Sequence, residues 1–162
     1  MKKRLTYFGE VEISSPQETT EGTVTIDNRQ VELNLNFYDG VPAHDWVEEY
    51  ENYVKELGQH KAVVEAAIRA DYEEGGDVKE YIDFHLEELD AATVEKILAG
   101  TDASESKEGR LLSALKLVRI GFYPGNENYV VWDYTIGREI ADMLVVVNTD
   151  SMGKINYVTW EN

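Results

Sequence analysis

Between residues 23 and 37 the chain alternates apolar and polar positions with a period of two. Thr23-Val24-Thr25-Ile26 forms one such run. Val31, Leu33, Leu35 and Phe37, set against Glu32, Asn34 and Asn36, form a second, and each describes a strand with one buried face. Asp27-Asn28-Arg29-Gln30 lies between them and supplies the turn formers that reverse the chain. Residues 5–13 read as an earlier strand, which makes a three-stranded antiparallel unit at the N-terminus. The period then changes. Trp46, Val47, Tyr50, Tyr53, Val54 and Leu57 recur at helical spacing, with Asp45, Glu48, Glu49 and Glu56 on the opposite side. Pro42 suits a first turn and Gly58 a stop. Residues 60–73 predict a second, alanine-rich helix ended by Gly75-Gly76. Asp77-Val78-Lys79-Glu80 has the spacing of a capping box, with Asp in the Ser/Thr place, and opens a third helix to about Leu89. A short fourth helix is expected over roughly 91–99, stopped by Gly100, and "TDASESKEGR" (101–110) reads as a polar connector. Residues 108–114 fit either a helical turn or an early strand.

From about residue 115 the period returns to two. "KLVRIGFY", "YVVWDYT", "EIADMLVVV" and "INYVTW" predict four strands, joined by turns at 124–128, 136–138 and 148–154. The expected fold is α+β: an antiparallel sheet from three N-terminal and four C-terminal strands, with about four central helices on one face. Whether the two groups of strands share one sheet is open at this level. The length of 162 residues fits a single domain, 1–162, that buries roughly two-thirds of its unfolded surface.

The segment "LVRIGFYPGNENYVVWDYTIGREIADMLVVV" (117–147), with "YIDFHLEEL" (81–89) upstream, resembles a family of small bacterial proteins known only as a domain of unknown function. The resemblance covers most of the chain from about residue 40. It implies a bacterial, cytosolic single domain and supplies no catalytic residue.

Composition narrows the function. Hydrophobic residues at 43% and charged residues at 29% describe a globular chain rather than a disordered one. Net charge is −17, from 15 basic and 32 acidic side chains, so phosphate backbones and anionic membranes are repelled. The charge is uneven: residues 43–110 hold nineteen acidic and seven basic side chains. No apolar run approaches the roughly 20 residues of a membrane span. The basic N-terminal tip is followed by no apolar core of a signal peptide, and the expected location is cytoplasmic. Absence of cysteine removes disulfides, zinc–thiolate sites and a cysteine nucleophile.

Candidate chemistry is sparse. In "FHLEELD", His85 lies about 20° from Val78 on the stripe shared with Ile82 and Leu89, while Glu87 points about 160° away from it. Only Glu88 is a neighbour of His85, and two ligands fall short of the usual three or four. His85 is therefore expected to be buried, with no metal. "NTDSMGK" (148–154) has part of a calcium loop, but Met152 stands where an oxygen is needed, so a hairpin turn is expected. Gly75-Gly76 lacks the lysine of a phosphate loop, and no serine has a nucleophile-elbow context. His44 and His60 have no nucleophile near them in sequence, and Asp71 lies close to the apolar stripe of its helix.

The most concentrated chemistry is in residues 119–142. A five-residue loop at Pro124–Asn128 places Tyr123 opposite Tyr129, and counting back puts Arg119 opposite Asp133. A two-residue turn at Gly137-Arg138 would put Asp142 beside Asp133, aligning Arg119, Asp133 and Asp142 across three strands. Two facing carboxylates raise one pKa, which suits an acid/base or cation site, or equally an ion network that fixes register.

With no recognisable catalytic constellation, the expected function is a non-enzymatic protein-binding domain, in its sharpest form an inhibitor or immunity-type protein that covers a basic partner. The faces carrying Asp45, Glu48, Glu49, Glu56, Glu73 and Glu74 are its expected contact. The alternatives are a hydrolase or small-molecule binder using Arg119, Asp133 and Asp142, and a structural protein with no dedicated site. No cofactor is expected.

Overall fold

The computed structural model describes residues 1–162. Six strands form one mixed sheet in chain order: β3 (Thr19–Ile26), β4 (Arg29–Asn36), β5 (Lys116–Phe122), β6 (Val130–Thr135), β7 (Leu144–Thr149) and β8 (Ile155–Glu161). Ahead of them, β1 (Lys2–Leu5) and β2 (Gly9–Glu12) make a separate hairpin. The chain is thus α+β, and both groups of strands enter the same sheet.

Every neighbouring pair in the sheet is antiparallel except β4–β5, which runs parallel in the register Glu32↔Arg119 to Leu35↔Phe122. The expectation of a wholly antiparallel sheet is corrected here. Alternation of apolar and polar residues encodes which face a residue takes, not which way its strand runs. A parallel pair needs a long crossover. That crossover, residues 37–115, holds all the helices: α1 (Trp46–Lys55), α2 (Leu57–Glu73), α3 (Asp77–Glu88), α4 (Ala91–Leu98) and α5 (Lys107–Ser113). Their apolar stripes meet the sheet. Trp46, Tyr50, Tyr53, Val64, Ile68, Val78 and Ile82 share one cluster of 31 buried residues with Val31, Leu33, Leu35, Ile120, Phe122, Trp132 and Val147. The indole Nε1 of Trp132 donates to the Tyr53 hydroxyl (3.1 Å), and the Tyr50 ring stands edge-on to Phe122 with centroids 5.0 Å apart.

Four local expectations change. The strand expected over residues 5–13 is instead the end of β1, a turn and β2, because the chain reverses at Thr6–Phe8 with Tyr7 at φ 71° and Gly9 at φ 72°. An aromatic residue in the left-handed region gives no turn signal in sequence. The first two helices are separated by Glu56 alone, and Gly58 lies inside the first turn of α2. The polar connector ends in a fifth helix: Ser106 Oγ accepts from the Gly109 amide (3.1 Å), a cap that its composition disguises. Residues 139–143 stay outside the sheet, with the amides of Ile140 and Ala141 both bonded to the Gly137 carbonyl.

The cap of α3 is also not the one its sequence offers. Gly76 is the N-cap, and Asp77 is already helical. Asp71, from the last turns of α2, accepts from the Val78 amide at 2.7 Å. A Cβ on Gly76 would lie 2.7 Å from Asp71 Oδ2, so glycine is what lets the carboxylate reach the helix start. Asp71→Ala should therefore lose about 1 kcal/mol in urea unfolding, the usual worth of an N-terminal cap. Asp77→Ala should change stability by less than about 0.5 kcal/mol. Equal losses for the two variants would remove the capping role from Asp71.

Candidate functional site

Arg119 and Asp133 occupy facing positions on β5 and β6, as the five-residue loop requires. Nη1 of Arg119 donates to Asp133 Oδ2 at 2.8 Å. The guanidinium then reaches the other way across the parallel junction, Nη2 donating to Asn34 Oδ1 on β4 and to the Tyr123 hydroxyl, each at 2.9 Å. Asn36 Nδ2 donates to the same Asn34 oxygen (2.8 Å) and to the Phe122 carbonyl (3.2 Å), and Thr19 Oγ1 donates to Asn36 Oδ1 (3.1 Å). One network thus links β3, β4, β5 and β6 on the sheet face opposite the buried apolar set. Gly121 makes room for it: a Cβ there would stand 2.9 Å from both Arg119 Nη2 and Asn34 Oδ1.

Electrostatics follows from burial. The Asp133 side chain is 6% exposed and that of Arg119 25%. Burial pushes the Asp133 carboxyl above its ordinary value, and the hydrogen bond and charge of Arg119 pull it only part of the way back. For Arg119, burial works against the cation but the bonds to Asp133 and Tyr123 outweigh it, so its pKa rises. The two directions oppose each other, since a pair that favours its cation should favour its anion too. The deeper desolvation of the carboxylate resolves the difference: Arg119 keeps a wet edge and Asp133 does not.

Asp142 is not part of this cluster. The partner of Asp133 on β7 is Val146, and Asp142 is exposed in the β6–β7 connection. The expected two-residue turn is replaced by a longer one around the Gly137 carbonyl, which shifts the register and removes the facing carboxylate pair. Five clefts on the molecule are lined by neither Arg119, Asp133 nor Asp142. What remains is a single buried carboxylate with an arginine and a set of amide and hydroxyl groups bonded to one another. That arrangement ties four strands together, and of its members Asn34 lines one of these clefts, between β3 and β4.

The other candidates resolve as follows. His85 is 3% exposed, its Nδ1 is 2.7 Å from the Tyr81 carbonyl, and its ring packs against Tyr81 and Phe84. Burial lowers its pKa and so favours the neutral ring. Asp150 Oδ1 accepts from the amides of Met152 and Lys154, 2.9 Å each, closing the β7–β8 turn as a hairpin. His60 stacks on Tyr53 with ring centroids 4.0 Å apart and sits over Gly153, where a Cβ would meet it at 2.3 Å. Asn34 was not legible as a member of the cluster, because β4 meets β5 only through a long crossover; Gly121 and Tyr123 follow Arg119 by two and four residues, on the same side of the strand.

The six acidic residues of the expected partner surface do not form one patch. Asp45 caps α1 by accepting from the Glu48 amide (3.1 Å), and Glu49 bonds His44 (3.0 Å). Glu48 and Glu56 are exposed. Glu73 and Glu74 are also exposed, but they lie at the far end of the 17-residue α2, about 25 Å of helix away from Glu56.

Compared with known proteins, the chain matches no family model, no curated protein and no solved structure.

Removing Arg119 should expose the cost of the carboxylate it neutralises. Arg119→Met should destabilise the protein at pH 7.5 by about 3–5 kcal/mol, the usual penalty for a buried charge left alone. The pH dependence has a defined sign. A carboxyl with a raised folded pKa favours folding below its unfolded value, and that contribution is lost as pH rises through the folded value. The stability gap between wild type and Arg119→Met should accordingly narrow as pH is lowered from 7.5 toward 5.5 in urea melts. A gap independent of pH would mean that Asp133 is not the group left unpaired.

Proposed function

We propose that this protein is a non-enzymatic binding domain whose acidic helical layer meets a basic protein, in its sharpest form as an inhibitor of a basic enzyme such as a nuclease. One observation carries the reading. Of the nineteen carboxylates in residues 43–110, only Glu65 and Asp83 lie within 4.0 Å of a lysine or arginine, and Glu49 bonds the His44 ring, leaving sixteen with no basic group so near. A surface of this kind repels itself, and a cationic partner relieves that repulsion while its field speeds the encounter. The sheet face opposite the core supports the same reading by what its charges do: Arg119 and Asp133 are already spent on each other.

The test uses the exposed carboxylates that make no local bond. Partners are captured from native lysate at low salt and challenged at about 0.15 M and above, where the Debye length falls to about 8 Å and below. Combining Glu48→Lys, Glu56→Lys, Glu73→Lys and Glu74→Lys should lower the association rate for a captured basic protein by about tenfold with unfolding unchanged. The same partners retained at the same salt sensitivity would contradict the reading, because an attraction that survives reversal of these charges does not come from them.

A further inference from the structure

β8 is the last strand of the sheet, bonded to β7 on one side and to no strand on the other. Val158 and Trp160 face Val147 and Val145 across the ladder and pack, half-buried, against the core. Two histidines stand at opposite ends of this strand. At the turn that leads into it, the half-buried His60 of α2 stacks on Tyr53 with ring centroids 4.0 Å apart. The same ring covers the buried Gly153, where a Cβ would come within 2.3 Å of Nδ1. At the far end, Trp160 packs on Tyr81 and Phe84 of α3, with centroids 6.0 and 5.6 Å away. His85 lies against both of those rings, at 4.2 and 5.2 Å.

Both places suit an uncharged imidazole. His85 donates from Nδ1 to the Tyr81 carbonyl at 2.7 Å, so a second proton would go to Nε2. Of the three histidines only His44 has a carboxylate within 4.0 Å, Glu49 at 3.0 Å. Around His60, the Glu56 carboxylate one turn earlier favours the cation, while Asp150 in the β7–β8 turn is bonded to the amides of Met152 and Lys154. The Tyr53 hydroxyl beside it is bonded to Thr149 and Trp132. The titratable neighbour of His85 is the Tyr81 phenol, which donates to the Met143 carbonyl at 3.1 Å, and no charged side chain from α2, α5 or β8 bears on the ring. Burial outweighs Glu56 at His60 and the Tyr81 carbonyl at His85, so both pKa values fall below the ordinary histidine value.

We propose that His60 and His85 make the seating of β8 acid-sensitive: protonating them frees the strand from α2 and α3 and uncovers the Val145–Val147 edge of β7. The inference concerns the sheet edge and stands apart from what the acidic helices bind. Its sign follows from linkage. A histidine kept neutral by folding takes up a proton more readily once released, so seating is full above about pH 6.5 and weakens as pH falls below it. Asp133 has the opposite sign, because burial favours its protonated form, and it cannot produce this loss. Asn156 Nδ2 donates to the Glu127 carbonyl and to Asn128 Oδ1 (3.0 and 2.9 Å), tying the start of β8 to the β5–β6 loop by bonds that do not titrate. Release therefore begins at the Trp160 end.

Amide hydrogen exchange on the full-length protein, corrected for the intrinsic rate at each pH, reads this directly. Protection of the β8 amides should fall at least about tenfold between pH 7.5 and 5.5, while β5 and β6 keep theirs. The fall should share its midpoint with the imidazole titrations of His60 and His85 followed by proton NMR. The variant His60→Phe with His85→Asn keeps a stacking ring and a donor near the Nδ1 position without a titrating group, and its β8 protection should not change with pH. Unchanged β8 protection in wild type, or an equal fall across all strands, would overturn the proposal. So would a variant that loses β8 protection with acid as wild type does. If the variant does not fold, wild type decides: a β8 midpoint that matches neither imidazole overturns the proposal, and one that matches supports it.

Discussion

β4 and β5 run parallel, and the rest of the molecule is arranged around that fact. An antiparallel neighbour could be reached by a tight turn, but a parallel one obliges the chain to leave the sheet at one end and return at the other. Residues 37–115 make that excursion, and folding it into five short helices buries their stripes on the sheet they left. The parallel contact itself is short, four facing pairs from Glu32↔Arg119 to Leu35↔Phe122. It is held on both faces. On one, Leu33, Leu35, Ile120 and Phe122 are buried among helix side chains; on the other, Arg119 spans from Asn34 to Asp133 across Gly121. Bulk at Gly121 would push the guanidinium off the sheet, so the glycine belongs to the clamp as much as the arginine does.

How much of this could be read from the chain depended on the range of the interactions. The strand of residues 31–37 and the first helix were legible because their periodicity is local and their apolar residues all reach the core. The Arg119–Asp133 pair was legible too, since one short loop fixes its register. Asp142 was misplaced for the same reason in reverse: the turn around Gly137 is longer than its residues announce, and a changed loop length shifts every pair beyond it. The direction of β5 relative to β4, and with it the inclusion of Asn34, Asn36 and Thr19 in the network, had no local signal at all. Asp71 shows a subtler limit. A carboxylate beside an apolar stripe invites a functional reading, but it caps the neighbouring helix, whose N-cap glycine lies five residues beyond it and admits it.

The charge balance differs between the buried and the exposed parts of the molecule. Where a carboxylate is buried, an arginine meets it, and the guanidinium's other bonds go to the Asn34 amide oxygen and the Tyr123 hydroxyl, which helps keep the pair out of water. Where carboxylates are exposed, on the helical crossover, most have no cation near them. The two regions are products of the same topology, since the crossover that makes the parallel pair possible is also the layer that faces outward with its acids.

The claim that Arg119 and Asp133 form a clamp rather than a reactive site is tested most directly by a double-mutant cycle. Stability is measured by urea unfolding for wild type, Arg119→Met, Asp133→Asn and the combined variant. The account predicts a coupling of about 1–3 kcal/mol, because each single change strands its partner and the double change strands neither. Additivity within about 0.5 kcal/mol would contradict it, showing that the two side chains are neighbours without being partners.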